Sequence, residues 1–202
     1  MTIFAKGYVL VLLAAVMGCD VAMGQKASKV EPVDVAITYD ALHANHITGD
    51  TFWMQGGAVE LGARLYRGLG IAARVEGSHV GAATTNRVPL SLVTTIFGLR
   101  YTVTSRSGRY VIFGEGLAGE SNGFHSLFSK GSGPVDSPTA GTTTSANALA
   151  VEAGGGLDVR LSEHLALRAV DIRYLRTGFP NSTTNIQNNL NLGAGIVFRF
   201  GR

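Results

Sequence analysis

The residues with chemistry to offer are carboxylates and arginines, and they recur at even spacings. Glu60 and Arg64 stand four residues apart, Arg74 and Glu76 two apart, and Glu152, Asp158 and Arg160 also differ by even steps. In an extended chain successive side chains point to opposite faces, so even spacing gathers a set of residues on one face. Arg100 and Arg168 sit in the same alternating context, and Glu115, Asp171 and Arg173 join the set once the phase of their strands is fixed. Opposite charges in near balance on one confined face are expected to pair. Guanidinium suits this because its planar fork satisfies several carboxylates at once. The reading is a salt-bridge lattice of Glu60, Arg64, Arg74, Glu76, Arg100, Glu152, Asp158, Arg160 and Arg168. A path for ions is the sharper alternative for the same residues.

Two other groupings carry less. His43, His46 and His79 fall in or beside expected loops, where imidazoles are ordinarily solvated, and nothing carries the paired-cysteine spacing of a zinc site. No metal or cofactor is expected. A nucleophilic site would need a serine, a histidine and an acid to converge, and the candidates are Glu120, Ser121, His125 and Ser126. His125 and Ser126 are adjacent, which sends their side chains to opposite faces of an extended chain, so no catalysis is expected.

The chain that must position these residues has 202 of them, enough for one domain with a real core. Glycine at 27 residues, with 15% charged and 46% hydrophobic residues, excludes a disordered acidic tail, a coiled coil and a helical bundle. The formal charge of +3 is spread along the chain without a basic run, which argues against a nucleic-acid partner. Lys6, the apolar stretch from Tyr8 to Met17 and the small residues Ala22 and Gly24 read as an export signal over 1–24, leaving 25–202 as the mature domain. The apolar stretch is short of the roughly 20 residues a membrane-spanning helix needs. Met17-Gly18-Cys19 loosely resembles a lipidation site; cleavage after Gly24 would instead remove the chain's one cysteine.

Beyond the leader the dominant signal is alternation of period two. In 147–161, Leu149, Val151, Ala153, Leu157, Val159 and Leu161 share one face and Glu152, Gly154, Gly156, Asp158 and Arg160 the other. The same rule predicts strands over 33–42, 53–65, 69–79, 91–103, 110–119, 165–176 and 189–200. The phase of 110–119 is open, because placing Glu115 on the small and polar face takes Phe113 and Leu117 with it. In 165–176, Arg168 and Asp171 have opposite parity, and a bulge near Ala169 and Val170 would reconcile them. Connections alternate between tight turns at 66–68, 105–109 and 162–164 and long loops at 43–51, 80–90, 120–146 and 177–188.

Eight strands with short turns at one end and long loops at the other suggest an antiparallel up-and-down barrel. The charged face is also the glycine-rich face, as expected inside a narrow barrel, so the apolar face points outward, the pattern of a transmembrane β-barrel. The last strand ends Gly195-Ile196-Val197-Phe198-Arg199-Phe200. Gly195, Phe198 and Phe200 resemble the C-terminal signal by which bacterial outer-membrane barrels are recognised and inserted. With Gly154-Gly155-Gly156-Leu157-Asp158 and the Arg168 strand, the chain looks like the family of small eight-stranded barrels similar to the transmembrane domain of outer membrane protein A. That resemblance implies an all-β outer-membrane protein of the bacterial envelope, in contact with outer-membrane lipid and, during biogenesis, with the barrel-insertion machinery. It implies a structural or surface-interaction role, with an unknown ligand for the long loops. A lipid-modifying hydrolase and a small-solute porin are the alternatives.

Overall fold

The computed structural model describes residues 33–45, 51–83, 88–129, 142–179 and 186–201. The expected leader with Cys19, and also His46 and Lys130, lie outside the described residues. Eight strands follow in chain order: β1 (Val33–Asn45), β2 (Thr51–Tyr66), β3 (Leu69–Val80), β4 (Leu90–Thr104), β5 (Tyr110–Ser129), β6 (Thr142–Arg160), β7 (Leu165–Thr177) and β8 (Gln187–Phe200). Each pairs antiparallel with its sequence neighbour, and β8 closes on β1 from Val33↔Phe200 to His43↔Leu190. Closure leaves no free edge along the barrel wall.

The alternation read from the sequence becomes an inside and an outside. Phe97 is 71% and Leu149 70% exposed on the outer surface, with Ile37, Val59, Ile71, Leu99, Ile172 and Ile196 around them. Glu60, Arg74, Glu76, Arg100, Glu152, Asp158 and Arg168 are buried inside. In β5 Glu115 points inward together with Val111, Phe113 and Leu117, while Tyr110 and Ile112 face outward. In β7 the bulge falls where opposite parity required it. Asp158 pairs with Arg168 and Leu157 with Val170, so Ala169 is the extra residue and Arg168, Asp171 and Arg173 all enter the lumen. The tight turn between β2 and β3 places Arg67 at φ 44° and Gly68 at φ 90°, the doubly left-handed geometry that favours glycine and suits the twist of a hairpin.

Two features depart from the sequence reading. The long connection expected at 120–146 is largely strand: β5 has 20 residues and β6 has 19, and only 130–141 lie between them. Above Phe124↔Ser91 on one side, and above Leu149, whose carbonyl accepts from Gly178 at 2.9 Å, on the other, these two strands pair only with each other among the described residues. They form a hairpin that outruns the barrel wall. Its β5 strand is irregular, with His125 at φ 59° and a register shift between Phe124 and Phe128. The second departure is inside. Toward the long-loop end the lumen is apolar, filled by Leu42, Met54, Leu92, Ile96, Leu175 and Phe179, with Phe128 folded in at 5.6 Å from the Phe179 ring. The rule of apolar outside and charged inside therefore holds only for the rest of the lumen.

Candidate functional site

Below the apolar plug the lumen is occupied by one charged network centred on Glu60 of β2. Its carboxylate receives Arg173 at 2.6 Å and Arg168 at 2.7 Å from β7, pairs with Arg100 of β4, and has Arg74 of β3 at 3.6 Å. Each guanidinium then reaches further acids. Arg74 donates to Asp40 at 2.7 Å and lies 3.3 Å from Glu76; Arg100 donates to Asp34 at 2.9 Å and to Glu115 at 2.8 Å. Arg168 donates to Asp158 at 3.0 Å, and Arg173 to Asp171 at 2.7 Å, to Glu152 at 3.0 Å and to Glu115. Glu76 also accepts from Asn191 of β8 at 2.7 Å and from Ser78 at 3.1 Å. Every strand of the barrel thus contributes a member.

The packing explains the glycines and the phase of β5. A Cβ at Gly62 would run into the Arg100 and Asp34 side chains, and one at Gly154 into Arg173, so these positions stay bare where charged side chains cross. Phe113 lies inside with its uncharged ring against cations: the guanidinium carbons of Arg168 and Arg100 sit 4.2 and 4.9 Å from its centroid. Burying so many ions is tolerable because the members of the network are paired, the central ones several times over. Charges left unpaired in a dry lumen would cost several kcal/mol each.

No protein-family model and no curated protein sequence matches the chain. In three dimensions it is similar to Neisserial surface protein A (NspA), with a TM-score of 0.64 and 14% identity, covering 83% of this chain and 97% of that one. The fold is that of the small eight-stranded outer-membrane barrels. A second similar structure is Ail, the attachment invasion locus protein of Yersinia pestis. Its crystal structure in complex with the heparin analogue sucrose octasulfate gives a TM-score of 0.54 at 12% identity over 84% of this chain and 99% of that one. Another crystal structure of Ail gives 0.52 at 11% identity, with the same coverage. At these identities the fold is what is shared.

Within this barrel fold the network brings together Glu60, Arg74, Glu76, Arg100, Glu152, Asp158 and Arg168, with Glu115, Asp171 and Arg173. Arg64 and Arg160 point the same way but lie near the short-turn ends of their strands, and they form no ion pair among the described residues. Asp34, Asp40 and Arg199 belong to the interior and were missed. The first two share even parity with Thr38, a usable signal, while Arg199 stands between the aromatics Phe198 and Phe200 and was read as part of the terminal signal. Gly195 faces inward opposite Thr38 and Arg168, whereas Phe198 and Phe200 face outward beside β1.

The histidine and serine groupings do not assemble as written. His43 packs on Trp53 at 4.8 Å between ring centroids, and no metal-binding group of histidines, cysteines or acids occurs among the described residues. Ser121 lies inside the barrel, bonded to Thr94 at 2.9 Å, while Glu120 stands on the opposite face of the same strand. His125 instead approaches Ser91, at 3.5 Å, and that hydroxyl is 2.9 Å from His79. No carboxylate touches either imidazole among the described residues, so no acid orients a base there.

Proposed function

We propose that the protein is an integral outer-membrane barrel with a closed lumen, serving as a structural and surface-contact element with neither a pore nor a catalytic site. The observation that carries this reading is the double filling of the interior, ion pairs below and apolar side chains above. An eight-stranded barrel is only wide enough for its own side chains, and here those side chains are tied across it. The apolar exterior supports insertion in lipid. So do outward aromatics in two groups: Tyr66, Tyr101, Tyr110, Phe198 and Phe200 at the short-turn end, and Tyr39, Trp53 and Tyr174 toward the other. Residues 1–24 act as the export signal, with the short turns toward the periplasm and the β5–β6 hairpin outside the cell.

The hairpin is the contact element of this reading. Ail has been crystallised with a heparin analogue, a polyanion. In this chain 120–146 carries Glu120, Asp136 and Lys130 as its fully charged residues, so a polyanion is disfavoured and a weakly charged partner fits better. The test is membrane fractionation with heat-dependent gel mobility, followed by trypsin on intact cells. The barrel is expected in the outer-membrane fraction, with cleavage at Lys130 from outside while the wall strands survive. Cleavage at Lys130 only from the periplasmic side would invert the topology and end the surface-contact role.

A further inference from the structure

Three arginines at the short-turn mouth of the lumen are left over by the lattice. Arg64, Arg160 and Arg199 come from the short-turn ends of β2, β6 and β8; across the ladder Arg160 is level with Ala166 and Val197, two residues from Arg199, and Arg199 is level with Asp34 and Gly62, two residues from Arg64. The acids within reach are already engaged: Asp158 by Arg168 at 3.0 Å and Asp34 by Arg100 at 2.9 Å. What remains is one long contact, Arg199 to Asp158 at 3.5 Å. The Nε atoms of all three arginines are buried without a hydrogen-bond partner. Arg160 lies under the β4–β5 turn, where a Cβ on Gly108 would sit 3.8 Å from its Nη1, and His164 borders Arg199 through a 3.3 Å contact to its carbonyl.

Guanidiniums crowded together with unmet donors form a standing demand for an acceptor carrying several oxygens. We propose that Arg64, Arg160 and Arg199 form an anion site at the short-turn mouth that takes a phosphate group. A phosphate offers at least three oxygens to planar forks supplied by three strands, which a carboxylate or chloride cannot match. The group is supplied either by free phosphate or by the headgroup of a phospholipid whose leaflet meets that end of the barrel. The site borders the central lattice through the Arg199–Asp158 contact and is independent of whether the lumen conducts.

The probe is the full chain, refolded in a non-ionic, phosphate-free detergent, with the arginine Nε–H resonances followed by NMR. One arm titrates inorganic phosphate against sodium chloride at matched ionic strength; the other adds short-chain phosphatidylglycerol below its own micelle concentration. A saturable shift of mouth Nε–H signals, beyond that of chloride, is the expected result. The arm in which it occurs at lower concentration names the source. Arg160→Gln relieves like-charge crowding and is expected to fold, and it should weaken the response about tenfold or more, the value of one charge-assisted contact. Arg67→Gln, on an exposed turn, should leave it unchanged. If phosphate and lipid act no differently from chloride on the unmodified protein, or if Arg160→Gln titrates like it, the arginines are merely hydrated and the site does not exist.

Discussion

Glu60 holds the lattice together because four guanidiniums from three strands meet at one carboxylate. Neutralising it removes the acid and leaves the cations facing one another in a space with little water. Glu60→Gln is therefore expected to destabilise the barrel by about 3–5 kcal/mol, the cost typical of breaking a buried ion pair from one side. The measurement is urea unfolding in lipid vesicles scored by the heat-modifiable gel band. Glu120→Gln, on the outer face of β5, should stay within about 0.5 kcal/mol; equal losses at the two positions would mean that the lattice stores no specific stability. Parity in the sequence was enough to send Glu60 inward with Arg64 and Arg74. It was not enough to single Glu60 out, because which side chains meet across a lumen depends on the stagger of strands far apart in the chain. For the same reason Arg64 and Arg160 shared the parity of the lattice and yet fall one level outside it.

At the scale of the strand, the wall was legible wherever the two faces differ in polarity, and obscure where they do not. In β5 the inner face carries Val111, Phe113 and Leu117, so the usual contrast is inverted around Glu115, and only the contact of Phe113 with Arg100 and Arg168 explains it. The upper halves of β5 and β6 read as loop because their Ser, Thr, Asn and Gly residues give no contrast, although Asn122↔Asn147 and Phe124↔Ser145 pair in regular register. The bulge in β7 was legible because two charges of opposite parity both needed the interior. Deleting Ala169 removes the extra residue, and regular alternation through Arg168, Val170 and Asp171 then keeps Arg168, Asp171 and Arg173 all in the lumen. The expected outcome is that the deletion protein keeps the compact heat-modifiable form, and loss of that form would show that the bulge does more than reconcile the parity of these charges. The outer face can be tested apart from the lattice. Phe97 lies mid-strand on β4 and 71% exposed, so Phe97→Arg should cost about 2–4 kcal/mol in lipid if that surface faces the bilayer core. A change near zero would leave the apolar exterior without a membrane to explain it.

For the molecule as a whole, the proposed closed lumen makes its two fillings seals in series. Water or an ion entering from the long-loop end first meets Leu42, Met54, Leu175 and Phe179, and beyond them the guanidinium and carboxylate network. Opening one seal leaves the other shut. The native protein in planar bilayers is therefore expected to give no steady conductance. Leu42→Ser with Met54→Ser, which wets the upper seal, should remain silent because the ion pairs below still bridge the wall. Removing Glu60 and Arg173 together, as Glu60→Ala with Arg173→Ala, takes out one acid and one base and keeps the net charge of the lumen unchanged, but leaves the apolar plug in place; it should also be silent. Conductance is expected only when the two pairs of substitutions are combined, and then as small, irregular steps, since the remaining arginines still cross the lumen. Stable large channels from the native protein would overturn the closed-lumen reading outright. Conductance from the upper substitutions alone would show that the lattice, however well paired, is permeable, and that the apolar plug is the true seal.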